Sequence, residues 1–162
     1  MDEYRITWCF IGDWFIKDRV CEENMAFDYL HSLYLWLKPG LVLQNAHKLL
    51  CVQSIAAIFE AVMINHACQF VSPTKKNILK KEILRYRASK IIDILKKEEV
   101  LDTEWSAFMK KLFELRNYVH LAKIDGYYEK VAKYNPTELT TTLSKFRDYM
   151  FERCDDKHPV PF

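Results

Sequence analysis

An arginine, an asparagine and a histidine form the most chemically specific cluster of this chain, in the stretch Arg116-Asn117-Tyr118-Val119-His120. On a helix, positions i and i+4 lie on one face a turn apart, so Arg116 and His120 are predicted to be neighbours. Arginine donates paired hydrogen bonds to phosphate oxygens, and histidine exchanges a proton near neutral pH. Asn117, turned by about 100° around the helix, would orient the site from its flank. Together they suit metal-free RNA cleavage, in which a base deprotonates a 2′-hydroxyl that attacks the adjacent phosphate.

A structural interpretation of the same residues stays open. Arg116 and His120 could form a partly buried polar fringe that contacts solvent or a neighbouring helix. Arginine and histidine occur at this spacing often by chance, so spacing alone favours the structural interpretation.

The motif Arg116-Asn117-Tyr118-Val119-His120, on a late helix of a helical chain, resembles the HEPN superfamily and its arginine, polar residue, spacer and histidine signature. The stretch 54–61, which carries Glu60, resembles the Glu-bearing helix of such domains, and the resemblance spans roughly 45–150 in helix order. It implies a metal-independent endoribonuclease of toxin–antitoxin or phage-defence type, in which two copies pair and form one composite cleft. Arg116 would then stabilise the phosphate, His120 would transfer protons, and Asn117 would position one of them.

Two other functions compete with the nuclease. Three residues separate Arg116 from His120, where the superfamily usually has four to six. The shorter spacing favours a non-catalytic HEPN-like module that dimerises or binds a partner, such as a protein antitoxin. The third interpretation is an all-α RNA-binding protein that uses residues 75–97, with Arg116 and His120 structural.

The stretch 75–97 is strongly basic, with nine cations against the anions Glu82 and Asp93. The predicted RNA-binding residues are Lys75, Lys76, Lys80, Lys81, Arg85, Arg87 and Lys90. Tyr86 lies among them and could stack on a base, as in surfaces that bind a nucleic-acid backbone. The alternative is an ordinary solvated helix face.

Glu60 is the remaining candidate, since it lies in the middle of an apolar helix. A carboxylate buried there without a partner would be costly, and an ion pair with Arg116 would remove that cost and fix the orientation of the arginine. A Glu60 that faces solvent is nearly as well supported by the sequence.

The elements that must position these residues are helices. We predict an all-α bundle of four or five helices in one domain over 23–153, after an irregular segment 1–22 and before a frayed tail 154–162. Helices are expected over 23–37, 41–70 and 78–100, then from about Asp102 and from Asn135 to about Arg153. The last two starts carry an N-cap residue, and Pro136 follows Asn135 at the first helical position.

Composition excludes several classes of protein. The 162 residues contain three glycines and five prolines, too few breakers for an all-β domain, and the net charge is only +2. No apolar segment of about 18 residues, basic leader or cysteine-pair motif is apparent, so we expect a cytoplasmic protein without a membrane contact. His47 and the stretch 66–68 lack the spacing of a zinc site, and no phosphate loop or dinucleotide motif occurs, so no metal or cofactor is expected.

Overall fold

The computed structural model describes residues 1–37, 40–69, 86–118 and 127–154. Within these ranges the protein is all-α, as predicted, and forms a compact bundle. The helices are α1 (Asp2–Thr7), α2 (Trp14–Leu37), α3 (Leu41–Gln69), α4 (Ala88–Lys97), α5 (Thr103–Tyr118), α6 (Tyr127–Ala132) and α7 (Pro136–Glu152). The described ranges thus hold seven helices rather than the predicted four or five. Two of the seven, α1 and α6, are short helices of six residues each that the sequence did not predict.

Helix α3 lies at the centre of the bundle and packs against α2, α4, α5, α6 and α7. One face of α3 is buried in the core: Val52, Ile55, Phe59, Val62 and His66 are fully buried, and Leu49 at the start of this stripe is partly buried. The neighbouring positions Ile58 and Ala61 are buried as well, so α3 is apolar around most of its circumference. A helix that is enclosed on nearly every side has little amphipathic character, as expected for a core helix.

The apolar character of α3 extends over Leu43–Cys68, in which an 18-residue window has a mean hydropathy of 1.5. By length and composition alone this segment could cross a membrane, although polar residues interrupt the apolar run in the sequence. However, 67% of that window is buried inside the bundle. Its hydropathy is therefore accounted for by its central place among the other helices.

An aromatic cluster holds α5 and α7 against α3. The rings of Phe59 and Phe146 have centroids 4.1 Å apart, and Trp105 lies 5.2 Å from Phe146. Phe108 completes the cluster 6.2 Å from Phe59. Such close aromatic packing fixes the relative position of the helices, and thereby the position of α5 residues opposite the middle of α3.

The two capping predictions are confirmed. The Asp102 carboxylate accepts a hydrogen bond from the Trp105 amide at 2.8 Å, and the Asn135 side chain accepts one from the Thr137 amide at 3.0 Å. Each satisfies an amide that has no partner within its own helix. One face of α7 is buried: Leu139, Leu143, Phe146 and Met150.

The N-terminal segment 1–22, predicted to be irregular, is instead helical and packed. It forms α1 and the start of α2, and Trp8 is buried with its indole nitrogen donating to Asn24 at 3.0 Å. Phe10 and Ile11 are fully buried beside it. The helical signal was missed because α1 is too short to show a period and because these core residues lie in the connection rather than on a helix.

Two further boundaries differ from the prediction. Within the described residues, the expected helix 78–100 is represented by α4, which runs from Ala88 to Lys97 and is preceded by an extended Arg87 (φ −68°, ψ 149°). Residues 78–85 of that prediction lie outside the described ranges. Glu99 then adopts a left-handed conformation with φ 58°, which glycine or asparagine would normally mark. Cys154, assigned to the frayed tail, is buried, and its thiol donates to the Phe10 carbonyl. Residues 155–162 lie outside the described ranges.

Candidate functional site

An ion pair joins Arg116, in the last turn of α5, to Glu60 in the middle of α3. The Arg116 Nη1 group donates to Oε2 of Glu60. The side chains are 33% and 23% exposed, respectively, so the pair is partly shielded from water. The pairing proposed from the sequence is therefore present, and the alternative of an unpaired Glu60 directed at solvent does not hold.

The ion pair lies in the wall of an open groove of about 620 Å³, which we call the Arg116 groove. Its lining residues come from α3, α4 and α5 and from the residue before α4: Glu60, Arg87, Ala88, Ser89, Ile92, Lys110, Phe113, Glu114, Arg116 and Asn117. Asn117 shares the groove with Arg116, as its place on the flank of the helix predicts. The groove combines three cationic side chains with two carboxylates, so its net charge is only mildly positive.

The N-terminus of α4 opens into the same groove. Ala88 and Ser89 form its first turn, and among the described residues no side chain caps it. The amides of Lys90 and Ile91 bond to the Arg87 carbonyl, whereas the first-turn amides of Ala88 and Ser89 have no acceptor among the described residues. A helix N-terminus carries a partial positive charge, so this wall favours an anion, and Arg87 adds a full charge beside it.

Lys110 contributes less charge to the groove than its position suggests. Its ammonium group forms an ion pair with Asp93 at 3.0 Å, with both side chains largely exposed. Exposed pairs are weak, so an incoming anion could draw Lys110 away at little cost. Arg116 and Arg87 are therefore the cations that define the groove.

A second groove of about 340 Å³ lies on the other side of Glu60; we call it the Phe15 groove. It is lined by residues of α2 and α3 and by the residue before Arg87: Phe15, Ile16, Arg19, Ala57, Glu60, Ala61, Ile64 and Tyr86. Sequence reasoning missed Phe15 and Arg19 because the segment that holds them was not recognised as helical. Their i, i+4 spacing, which places them on one face of α2, was the available signal.

Part of the predicted site lies outside the described residues: His120, Lys75, Lys76, Lys80, Lys81 and Arg85. Of the described candidates, Glu60, Arg87, Arg116 and Asn117 share the Arg116 groove. Lys90 does not line it. Its ammonium group lies 3.4 Å from the centroid of the Tyr86 ring, which in turn lines the Phe15 groove.

Metal-binding geometry is not apparent in the part of the chain that the structure describes, where no three histidine, cysteine or acidic side chains come together. His66 is instead a core residue of α3, and burial lowers the pKa of its imidazole. Both ring nitrogens face backbone carbonyls, those of Val62 and Met150.

Comparison of the chain with family models, with curated proteins and with solved structures finds no match.

Proposed function

We propose that this chain is a HEPN-like, metal-independent endoribonuclease of toxin or phage-defence type that acts as a homodimer. The observation that carries the proposal is the position of Arg116. It is held by Glu60 in the wall of an open groove that Asn117, Arg87 and the α4 N-terminus also line. The all-α fold and the motif Arg116-Asn117-x-x-His120 are consistent with the resemblance to that superfamily.

The ion pair suits a phosphate-binding arginine. A guanidinium has five N–H donors in a rigid fork, and Glu60 engages Nη1. Nε and Nη2 remain for the oxygens of a phosphate, and among the described residues none accepts from them. Because Glu60 restrains the fork before substrate arrives, less conformational entropy is lost when the phosphate binds, and the positive charge is preorganised where the transition state gains negative charge.

The proposed reaction needs both an acid and a base. A base takes the proton from a ribose 2′-hydroxyl, the oxygen attacks the adjacent phosphorus, and the bond to the 5′-oxygen of the next nucleotide breaks. An acid protonates that oxygen, which leaves a 2′,3′-cyclic phosphate and a 5′-hydroxyl. His120 supplies one titratable group per chain, so two chains would supply both roles, and Asn117 would orient the phosphate or an imidazole.

RNA is the proposed substrate, and the basic residues 75–90 would extend its binding surface beyond the Arg116 groove. Arg87 is the member of that set for which the structure gives direct support, since it lines the groove beside Ala88 and Ser89. A protein antitoxin is a further proposed partner, since such nucleases need to be restrained in the cell that makes them.

One observation favours a second candidate, a HEPN-like module that binds RNA or a protein without cleaving it. Glu60 compensates the charge of Arg116, and Asp93 that of Lys110, so the described part of the groove is less cationic than its arginines and lysine suggest. A groove of mixed charge can also dock a polar partner surface.

Cleavage of a mixed RNA pool by purified protein in EDTA decides between the two candidates. The variants are Arg116→Ala and His120→Ala, with Arg147→Ala as the matched control, because Arg147 is a partly exposed α7 arginine that lines neither groove. The nuclease predicts cyclic phosphate ends from wild type and the control, with at least about 100-fold slower cleavage by the other two. Equal rates in all four proteins, or no cleavage by a folded dimer, would contradict it and favour the binding module.

A further inference from the structure

The Arg116 groove and the Phe15 groove adjoin one another at Glu60, which lines both. The consecutive residues Tyr86 and Arg87 divide in the same way, with Tyr86 in the Phe15 groove and Arg87 in the Arg116 groove. A chain-like ligand that is seated on Arg116 and Arg87 would therefore reach the Phe15 groove with its next unit.

The Phe15 groove has the composition of a site for a flat apolar group. Its floor is formed by Ala57, Ala61 and Ile64, which follow one face of α3 at i, i+4 and i+7 spacing. The small side chains of the two alanines leave an open, low surface. Aromatic rings line it from two elements, Phe15 from α2 and Tyr86 from the segment that precedes α4.

Phe15 has no structural reason to be an aromatic residue. Its side chain is 85% exposed, in the first turn of α2, while the neighbouring Ile16 packs against the core. An exposed phenylalanine loses nothing in the fold on replacement by a smaller residue, but it offers a ring face to a base. Arg19 lies on the same face of α2 and lines the groove with it, where it can meet a phosphate or stack.

Tyr86 is prepared for stacking as well. The Lys90 ammonium group lies over one face of its ring, 3.4 Å from the centroid, which restrains the ring. Rings alternating with cations are the pattern by which proteins bind single-stranded nucleic acid without strict sequence preference.

We infer that the Phe15 groove is a nucleobase subsite for single-stranded RNA, holding a base of the nucleotide next to the phosphate on Arg116. The inference rests on the proposed function, since it takes the occupant of the Arg116 groove to be an RNA phosphate. A volume of about 340 Å³ lies near the lower limit of small-ligand sites, about 300–1,000 Å³, which suits one base rather than a protein helix. Arg19 in its lining matches a polyanion, because the other charged residue of the lining, Glu60, is already paired with Arg116.

The test is equilibrium binding by fluorescence anisotropy of the full chain to labelled 2′-O-methyl oligouridylate. This probe lacks the attacking hydroxyl, so binding is measured whether or not the protein is a nuclease. A second probe of equal length carries abasic sites and so retains the phosphates alone. The variants are Phe15→Ala and Phe15→Trp. Trp36→Ala is the matched control, because Trp36 is an 84% exposed aromatic residue of the same helix outside both grooves.

Phe15→Ala is expected to weaken binding of the oligouridylate about 10-fold, to leave the abasic probe unchanged, and to leave the fold intact by circular dichroism. Phe15→Trp retains wild-type affinity, and so does Trp36→Ala. Equal affinities of wild type and Phe15→Ala would overturn the subsite, as would an equal loss with the abasic probe or a wild type that binds neither probe.

The two proposals fail in different ways. RNA cleavage that depends on Arg116 and His120, together with Phe15→Ala binding like wild type, would keep the nuclease and overturn the subsite. Base-dependent loss in Phe15→Ala without any cleavage would support the subsite and contradict the nuclease.

Discussion

Glu60 of α3 and Arg116 of α5 are 56 residues apart in the chain and form an ion pair in the Arg116 groove, and Glu60 also lines the Phe15 groove. The aromatic cluster around Phe59 brings the two side chains together, because it packs α5 onto α3 at the residue next to Glu60. The site is thus attached directly to the core. A residue whose side chain must be held in one orientation benefits from such a rigid support.

A double-mutant cycle measures how strongly the pair is coupled. For Glu60→Gln, Arg116→Met and the double variant, we expect a coupling energy of about 1 kcal/mol in urea unfolding, since both side chains are partly shielded from water. The control is the more exposed Asp93–Lys110 pair, whose side chains are 65% and 48% exposed. Its coupling energy is expected to be below about 0.5 kcal/mol. A coupling at Glu60 no larger than that of the control pair would show that the two side chains do not hold each other.

The ion pair could be anticipated from the sequence. A carboxylate such as Glu60 in the middle of an apolar helix needs a partner, and Arg116 is an arginine beside the apolar positions of another long helix, α5. The same kind of periodic signal gave α3, α5 and α7. The signal failed in α1, whose six residues are too few to show a helical period. It also failed at Glu99, where the backbone adopts a left-handed conformation without a glycine.

The Phe15 groove could not be derived from the sequence. Its residues come from three separated stretches, and Phe15 looks like one more aromatic in a segment rich in them. Only the packing of α2 on α3 shows that this ring is exposed while Trp8 and Phe10 are buried. Exposure is a tertiary property, so neither composition nor local periodicity reports it.

The cap of α7 offers a second prediction. Asn135→Ala is expected to lower the free energy of unfolding by about 1 kcal/mol, because the Thr137 amide loses its acceptor at the helix start. Asn135→Ser retains a side-chain oxygen and should stay within about 0.5 kcal/mol of wild type. Urea denaturation of the three proteins checks this. Equal losses in both variants would mean that the cap contributes nothing and that Asn135 acts through another contact.

Two cysteines give a prediction for thiol chemistry. Burial raises the pKa of Cys51 to about 12 and that of Cys21 to about 11, so the reactive thiolate is scarce at pH 8. Both should be modified by a maleimide at least about 100-fold more slowly in the native protein than in urea, as measured by mass spectrometry of the tryptic peptides. Cys9, which is partly exposed, serves as the internal reference. Native labelling of Cys51 as fast as Cys9 would contradict the packing around α3.

His66 makes the stability of the fold sensitive to mild acid. Its ring is fully buried between α3 and α7, with Nδ1 3.0 Å from the Val62 carbonyl and Nε2 3.1 Å from the Met150 carbonyl. A neutral ring can donate to only one of them. Each carbonyl also accepts a hydrogen bond from a backbone amide: that of Met150 from the Arg153 amide, and that of Val62 from the helical amide of His66. The two carbonyls favour the protonated ring, but burial outweighs them and lowers the pKa of the imidazole.

The sign of the pH dependence follows from that lowered pKa. In the unfolded chain the imidazole titrates near its ordinary value of about 6.5, whereas the folded protein resists protonation to a lower pH. The contribution of the neutral ring to stability is thus fully present above about pH 6.5. It falls as the pH drops toward the pKa of the folded protein, by at most about 1.4 kcal/mol per pH unit. Urea unfolding at pH 7.5 and 5.5 should show this loss in wild type and a smaller one in His66→Gln, which cannot titrate. The same loss in both proteins would assign the acid sensitivity to other groups, and a gain in stability on acidification would contradict the burial of a neutral ring.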